Sequence, residues 1–192
     1  MASNPVTKLS EEQYLAIDRA AEFRSEFVDG EMFAMSGSSF RHAALQSNVL
    51  VEVANGLRGT DCRVFGTDLR VRVSKTRMYA YPDVCVVCGK ELLADEQRDI
   101  LLNPVVIFEV LSPTTEHYDR GLKFQHYRTI ESLKDYILVD QNQVLIEQFT
   151  RDVGSTWTLR DHQLLDQELT IPSINVSLQL RRIYDRIELP GA

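Results

Sequence analysis

The sequence predicts an α/β (α+β) fold, with strands and helices interleaved along one domain, residues 1–192. Three observations carry that expectation. Residues 105–111 (VVIFEVL) form an apolar, β-branched run of the kind shown by a strand buried on both faces. Asp29-Gly30 separates two short strand-like segments, and this dipeptide favours the positive φ angles of a tight hairpin. Two amphipathic helical patterns also follow capping residues.

The first helix spans residues 11–21, behind the capping box of Ser10 and Gln13. The hairpin around Asp29-Gly30 comes next. Ser38 or Ser39 then caps a helix over residues 40–57, with Leu45, Val49, Val53 and Leu57 on one face, His42 near its start, and Gly56 and Gly59 at its end. Two strands are expected at 62–73 and 79–88. In the first, Phe65, Thr67, Leu69, Val71 and Val73 alternate with Asp68, Arg70 and Arg72. Residues 89–102 read as a loop with a short helix.

Ser112-Pro113 stops the strand at 105–111. Thr114 or Thr115 caps the helix that follows, which carries Glu116 in its first turn and Asp119 and Lys123 one turn apart. Gly121 inside that helix suggests a close approach to its backbone. A hairpin follows from 135–140 to 144–150. The tail holds a strand near Trp157, short strands within 169–180 and a turn of helix around 182–187. Repeats, low-complexity tracts and an interdomain linker are absent from the sequence.

Composition narrows the classes. Apolar residues at 44% and charged residues at 26% match an ordinary globular protein, and no apolar run reaches the roughly 18–20 residues of a membrane span. The opening ten residues contain no signal-peptide core. Three cysteines without disulfide-like spacing fit a reducing cytoplasm. A net charge of −7 argues against a dedicated nucleic-acid binder while leaving room for an enzyme that meets nucleic acid through a metal-loaded cleft.

Glu109 breaks the apolar run. An isolated ionised carboxylate there costs several kcal/mol or takes up a proton, so it needs a metal, a cation or open water. Asp83 opens the strand at 84–88 much as Glu109 sits near the end of its own. If the strands are neighbours, the two carboxylates converge on a site for a hard divalent cation such as Mg²⁺. Plainer alternatives exist: Asp83 as a turn residue, Glu109 paired with Arg70 or Arg72, Asp68 paired with Arg70, Asp119–Lys123 as a surface ion pair, and His42 as a hydrogen-bonded residue at a helix start. Glu26, Asp29 and Glu31 read as solvated. Cys85 and Cys88 have the spacing of a zinc knuckle, but on a strand they point to opposite faces and no second pair exists.

Pro82-Asp83, FEVLSP at 108–113, Asp119, Lys123, Tyr127 and DYILVD at 135–140 together resemble the Uma2 family of endonucleases. SEFVDGEMFAMS followed by His42 is similar to that family's hairpin and helix histidine, and Asp68 falls where the family usually carries an aspartate. The resemblance runs from about residue 11 to 150. It implies a restriction-endonuclease-like core, with a central mixed β-sheet flanked by helices behind an N-terminal helix and hairpin. It also implies a Mg²⁺- or Mn²⁺-dependent phosphodiesterase acting on nucleic acid, most simply DNA. Asp83 and Glu109 would be the metal ligands with Asp68 beside them, Lys123 the basic partner and His42 a neighbour of the site. The wider superfamily places its lysine two residues after the glutamate; here that residue is Leu111, and Lys123 from the next helix takes the role. A homodimer is the expected assembly. The rival readings are an inactive nuclease-fold binding or assembly protein and a small-molecule phosphodiesterase.

Overall fold

In the computed structural model, which describes residues 8–35, 37–154 and 156–190, helix α1 (Glu11–Ala20) starts at a complete capping box. Ser10 Oγ accepts from the Gln13 N–H at 3.1 Å, and Gln13 Oε1 accepts from the Ser10 N–H at 2.9 Å. Residues 1–7 of the segment read above as lacking a signal-peptide core lie outside the described residues. Strands β1 (Ser25–Val28) and β2 (Glu31–Ala34) form the hairpin, with Asp29 at φ 44° and Gly30 at φ 99° in its turn. Ser39 caps helix α2 (Phe40–Gly56).

The two long strands expected next are each broken. The first becomes β3 (Cys62–Gly66) and β4 (Arg70–Val73), and the second becomes β5 (Met78–Ala80) and β6 (Val84–Cys88). The halves join different sheets, so residues 67–69 and 81–83 turn corners between them. Residues 89–102 contain the short strand β7 (Ile100–Leu101) and, among the described residues, no helix, because Ile100 and Leu101 are drawn into the core beside β4.

Strand β8 (Val106–Leu111) is buried along its whole length. Beyond it lies a three-part helix: α3 (Glu116–Tyr118), a π-helical turn (Asp119–Lys123) and α4 (Phe124–Tyr127). Thr115 occupies the N-cap position without a side-chain cap hydrogen bond. Strands β9 (Asp135–Asp140), β10 (Ile146–Arg151), β11 (Trp157–His162), β12 (Glu168–Ile171) and β13 (Val176–Gln179) complete the sheets. The last helical turn, α5 (Leu180–Ile183), comes earlier than the sequence suggested.

The result is a mixed α+β fold. A six-stranded sheet, ordered β11-β10-β9-β8-β6-β3, is mixed because β8 and β9 run parallel while the other pairs are antiparallel. A five-stranded sheet, β2-β1-β5-β4-β7, and the pair β12-β13 complete it. Leu45, Val49 and Val53 of α2 pack with Val84, Val86, Phe108 and Val110 on one side of the large sheet. On its other side, Cys85, Ile107, Leu111 and Leu138 pack with Val71, Met78 and Tyr127. Alternation along β8 therefore turns Glu109 toward the second side, under α3–α4.

Two expectations about small residues change. A Cβ on Gly121 would meet nothing within 4 Å, so no close approach occurs there; on Gly56 it would lie 2.7 Å from Val176 Cγ1, where α2 meets β13. Cys62 and Cys88 form a disulfide, since the β3–β6 register sets them directly opposite each other across 26 residues of sequence. Cys88 is thereby unavailable to zinc. Cys85 is buried, and that burial pushes its thiol up to about 12. Alkylation of the native, unreduced protein is therefore expected to label none of the three cysteines, and reduction with unfolding to label all three, read by mass spectrometry. A free Cys62 thiol would contradict the pairing.

Candidate active site

Pairing of Val84 with Phe108 puts the residue before β6 beside the second half of β8. Asp83 and Glu109 consequently meet. The Val110 N–H donates to Asp83 Oδ2 at 2.8 Å, and the Asp83 N–H points at Glu109 Oε2 at 3.4 Å. His42, on the first turn of α2, brings Nε2 to 3.3 Å from Asp83 Oδ2, and Gln46 Nε2 donates to the Asp83 carbonyl at 3.0 Å. The π-helical turn supplies Lys123. Its Nζ lies 3.0 Å from Glu109 Oε1, 2.9 Å from Glu26 Oε1 and 3.5 Å from Asp119 Oδ1. Tyr127 donates to Glu109 Oε1 at 3.2 Å.

Burial controls the electrostatics. The Glu109 side chain is 5% exposed, and desolvation drives its carboxyl well above the usual range; the Lys123 charge offsets part of this, while Asp119 and Asp83 reinforce it. Burial also opposes charge on Lys123, but attraction to Glu109, Glu26 and Asp119 outweighs it, holding the amine charged well above the ordinary lysine value. Desolvation raises Asp119 against the pull of Lys123. For His42, burial is outweighed by the hydrogen bond and attraction to Asp83, so its pKa rises. Its Nδ1 is buried without a hydrogen-bond partner among the described residues.

These groups lie in a cleft of about 1570 Å³, lined by the hairpin, the start of α2, and β8 with the helix that follows it. Acidic groups outnumber cations around Lys123. Among the described residues, no three His, Cys, Asp or Glu side chains form a ready-made metal cage. Two carboxylates with room for water and a phosphate fit Mg²⁺, which is ordinarily held by one or two carboxylates and completes its shell from solvent and substrate. The chemistry of the donor set thus suits the ion.

A family profile, Uma2, described as "Putative restriction endonuclease", matches residues 11–182. The chain belongs to the Uma2 family. Among curated relatives, the uncharacterized Synechocystis protein slr1290 is 34% identical over 182 residues, covering 95% of this chain and 94% of that one. A second Synechocystis protein, sll1609, is 30% identical over 153 residues, covering 80% and 86%. The crystal structure of a "putative nuclease belonging to DUF820" from Anabaena variabilis superimposes with a TM-score of 0.78 at 16% identity, over 94% of this chain and 99% of that one. It shares the fold.

Of the residues singled out in this Uma2 sequence, Asp83, Glu109, Lys123 and His42 come together. Asp68 does not. Its carboxylate is 85% exposed on the corner between β3 and β4, pairs with Arg24, and does not line the cleft. The arginines proposed for Glu109 are also engaged elsewhere, Arg70 with Asp18 and Asp99 and Arg72 with Glu11. Two cleft residues were given no role in the site by the sequence reading, though both lie in segments that carry the family resemblance. Glu26, taken as solvated, faces Lys123 because Ser25 and Phe27 take the buried side of β1. Asp119, taken as half of a surface pair, is buried with Lys123 under the sheet. Among the described residues, no helix is long and apolar enough to cross a membrane.

Proposed function

We propose that this protein is a divalent-metal-dependent nuclease that hydrolyses phosphodiester bonds of nucleic acid, DNA foremost, in the cleft between the hairpin and β8. The observation that carries the reading is the meeting of Asp83, just before β6, with Glu109 of β8, whose Oε2 lies 3.4 Å from the Asp83 N–H, while the buried Lys123 ammonium lies 3.0 Å from Glu109. Asp83 and Glu109 would hold Mg²⁺ or Mn²⁺. The ion, when bound, polarises a phosphate and acidifies a water.

The chain's own residues supply the rest. Lys123 stays charged near neutral pH, so it orients water and offsets negative charge on the phosphate rather than removing a proton. Tyr127 fixes the Glu109 carboxylate, and the Val110 N–H with His42 fixes that of Asp83. Glu26 and Asp119 hold the ammonium in place. Homodimerisation and residence in the cytoplasm belong to this reading as well. Light scattering tests the first and cell fractionation the second, against which the Cys62–Cys88 disulfide already counts, since a reducing cytoplasm ordinarily keeps such thiols free.

Glu109→Gln, assayed with Mg²⁺ or Mn²⁺ on plasmid and single-stranded substrates, should lose at least about a hundredfold in cleavage rate. Its folding should hold, because a neutral side chain suits that buried position. Cleavage at the wild-type rate would remove Glu109 from the chemistry. Absence of cleavage by the wild type with either ion would end the nuclease reading.

A further inference from the structure

Three of the chain's eight phenylalanines are set apart from the rest. Phe27 and Phe108 are buried, and Phe65, Phe124 and Phe149 pack against the core. Phe40, Phe33 and Phe23 are instead 89%, 51% and 68% exposed, and all three line the cleft that holds Glu109. They come from separate segments: Phe23 from the link between α1 and β1, Phe33 from edge strand β2, and Phe40 from the first residue of α2, two positions before His42. Scattered exposed apolar residues need no explanation, but three flat rings on one functional cleft do.

The cations there are few: besides Arg186, which lies 3.7 Å from Asp185, they are Lys123, Arg24 and Arg41. Lys123 is enclosed by three carboxylates, and Arg24 is paired with Asp68. Arg41 has no carboxylate partner within ion-pair distance among the described residues; it donates to Asn142 Oδ1 at 3.3 Å, and its Nε is buried without a partner. A duplex is held chiefly by many phosphate contacts, which this acidic chain is poorly equipped to make. An unpaired strand presents the π-faces of its bases, and aromatic side chains stack on those irrespective of sequence.

We infer that the cleft takes nucleic acid as an unpaired strand, its bases stacked on Phe40, Phe33 and Phe23 and its backbone met by Arg41. The inference names the substrate form for the proposed nuclease site and rests on that reading for the identity of the ligand as nucleic acid. A strand held this way runs along the cleft that holds Asp83 and Glu109. Few phosphate contacts also mean a shallow dependence of affinity on salt.

The test is fluorescence anisotropy with labelled 12-nucleotide probes in Mg²⁺, in the Glu109→Gln background so that the strand stays whole. Single-stranded DNA and RNA, the matching DNA duplex, and an abasic strand of equal length are compared. Either single strand should bind at least about tenfold tighter than the duplex and the abasic strand, as expected for loss of base stacking. Phe40→Ala and Phe33→Ala should each weaken the single strand about tenfold and leave the abasic strand unchanged. Phe40→Leu separates a flat stacking face from a merely apolar one: it should behave like Phe40→Ala, whereas Phe40→Trp should retain affinity.

Equal affinity for duplex or abasic strand, wild-type binding by Phe40→Leu, or no binding by any probe would each overturn the inference. So would Phe40-dependent self-association with no effect of Phe40 on probe binding, which would make the rim a contact between copies. A strand bound through the phenylalanines but never cut by the wild type with Mg²⁺ or Mn²⁺ would leave the inference standing and remove the nuclease reading. Duplex cut without any preference for unpaired bases would do the reverse.

Discussion

Asp18→Ala should cost the fold about 3–5 kcal/mol, the usual loss when one partner of a buried ion pair is removed. The Asp18 side chain is wholly buried and accepts four hydrogen bonds: from the Ser25 N–H at 2.7 Å, the Tyr81 hydroxyl at 2.6 Å, and Arg70 Nε and Nη2 at 3.0 and 2.8 Å. It ties α1 to the start of β1, to the corner before Asp83 and to β4. Asp99 remains beside Arg70 in the variant, which favours the lower end of that range. Asp18→Asn, which keeps part of the hydrogen bonding, should lose less. Urea unfolding gives the comparison, and a loss below about 1 kcal/mol for the alanine variant would show that the network is not what holds the hairpin. Because Glu26 follows Ser25 directly, the same variant should also loosen that wall of the cleft.

Lys123→Met should be of similar size but conditional on pH. The ammonium lies within 3.5 Å of Glu26, Glu109 and Asp119, and methionine leaves those acids crowded and without their cation. The expected loss is about 3–5 kcal/mol at pH 8. Glu109 and Asp119 already have folded pKa values raised by burial, and loss of Lys123 raises them further. A carboxyl that binds its proton more tightly in the folded state loses stability as pH rises above the unfolded value. The deficit should therefore shrink on acidification toward pH 5. Paired thermal melts at pH 5 and pH 8 check this. A pH-independent deficit would mean that packing, and not charge, is the role of Lys123 in stability.

Much of this site was legible because the chemistry was local. A carboxylate in VVIFEVL and another after Pro82 announce themselves by the cost of burying charge, and the strand–proline–helix order puts Lys123 downstream of the first. What escaped depended on sheet geometry. Residues 62–73 and 79–88 each read as one strand because alternation survives a corner, and nothing in the pattern shows that the halves join different sheets. Glu26 became a neighbour of Lys123 only once β1 had paired with β5 and buried Ser25 and Phe27. The Cys62–Cys88 pairing likewise follows from register, which spacing along the chain does not reveal. Asp68 erred in the opposite direction, since its position on a corner turned it to solvent.

The π-helical turn at Asp119–Lys123 has a consequence for how length variation in this chain would behave. A single wide turn holds one residue more than an α-turn, so the helical residues after it keep the phase of a helix one residue shorter. Leu122 is 58% exposed and could be deleted with little loss of packing. Phe124 and Tyr127 would still face the sheet, and Lys123, on the same side of the deletion, would keep its place with them; Asp119 and Lys123 would be brought from four residues apart to three, a spacing that still shares one helix face. The surplus residue is thus carried as a bulge, and a one-codon deletion there would spare both the scaffold and the meeting of the amine with its acid.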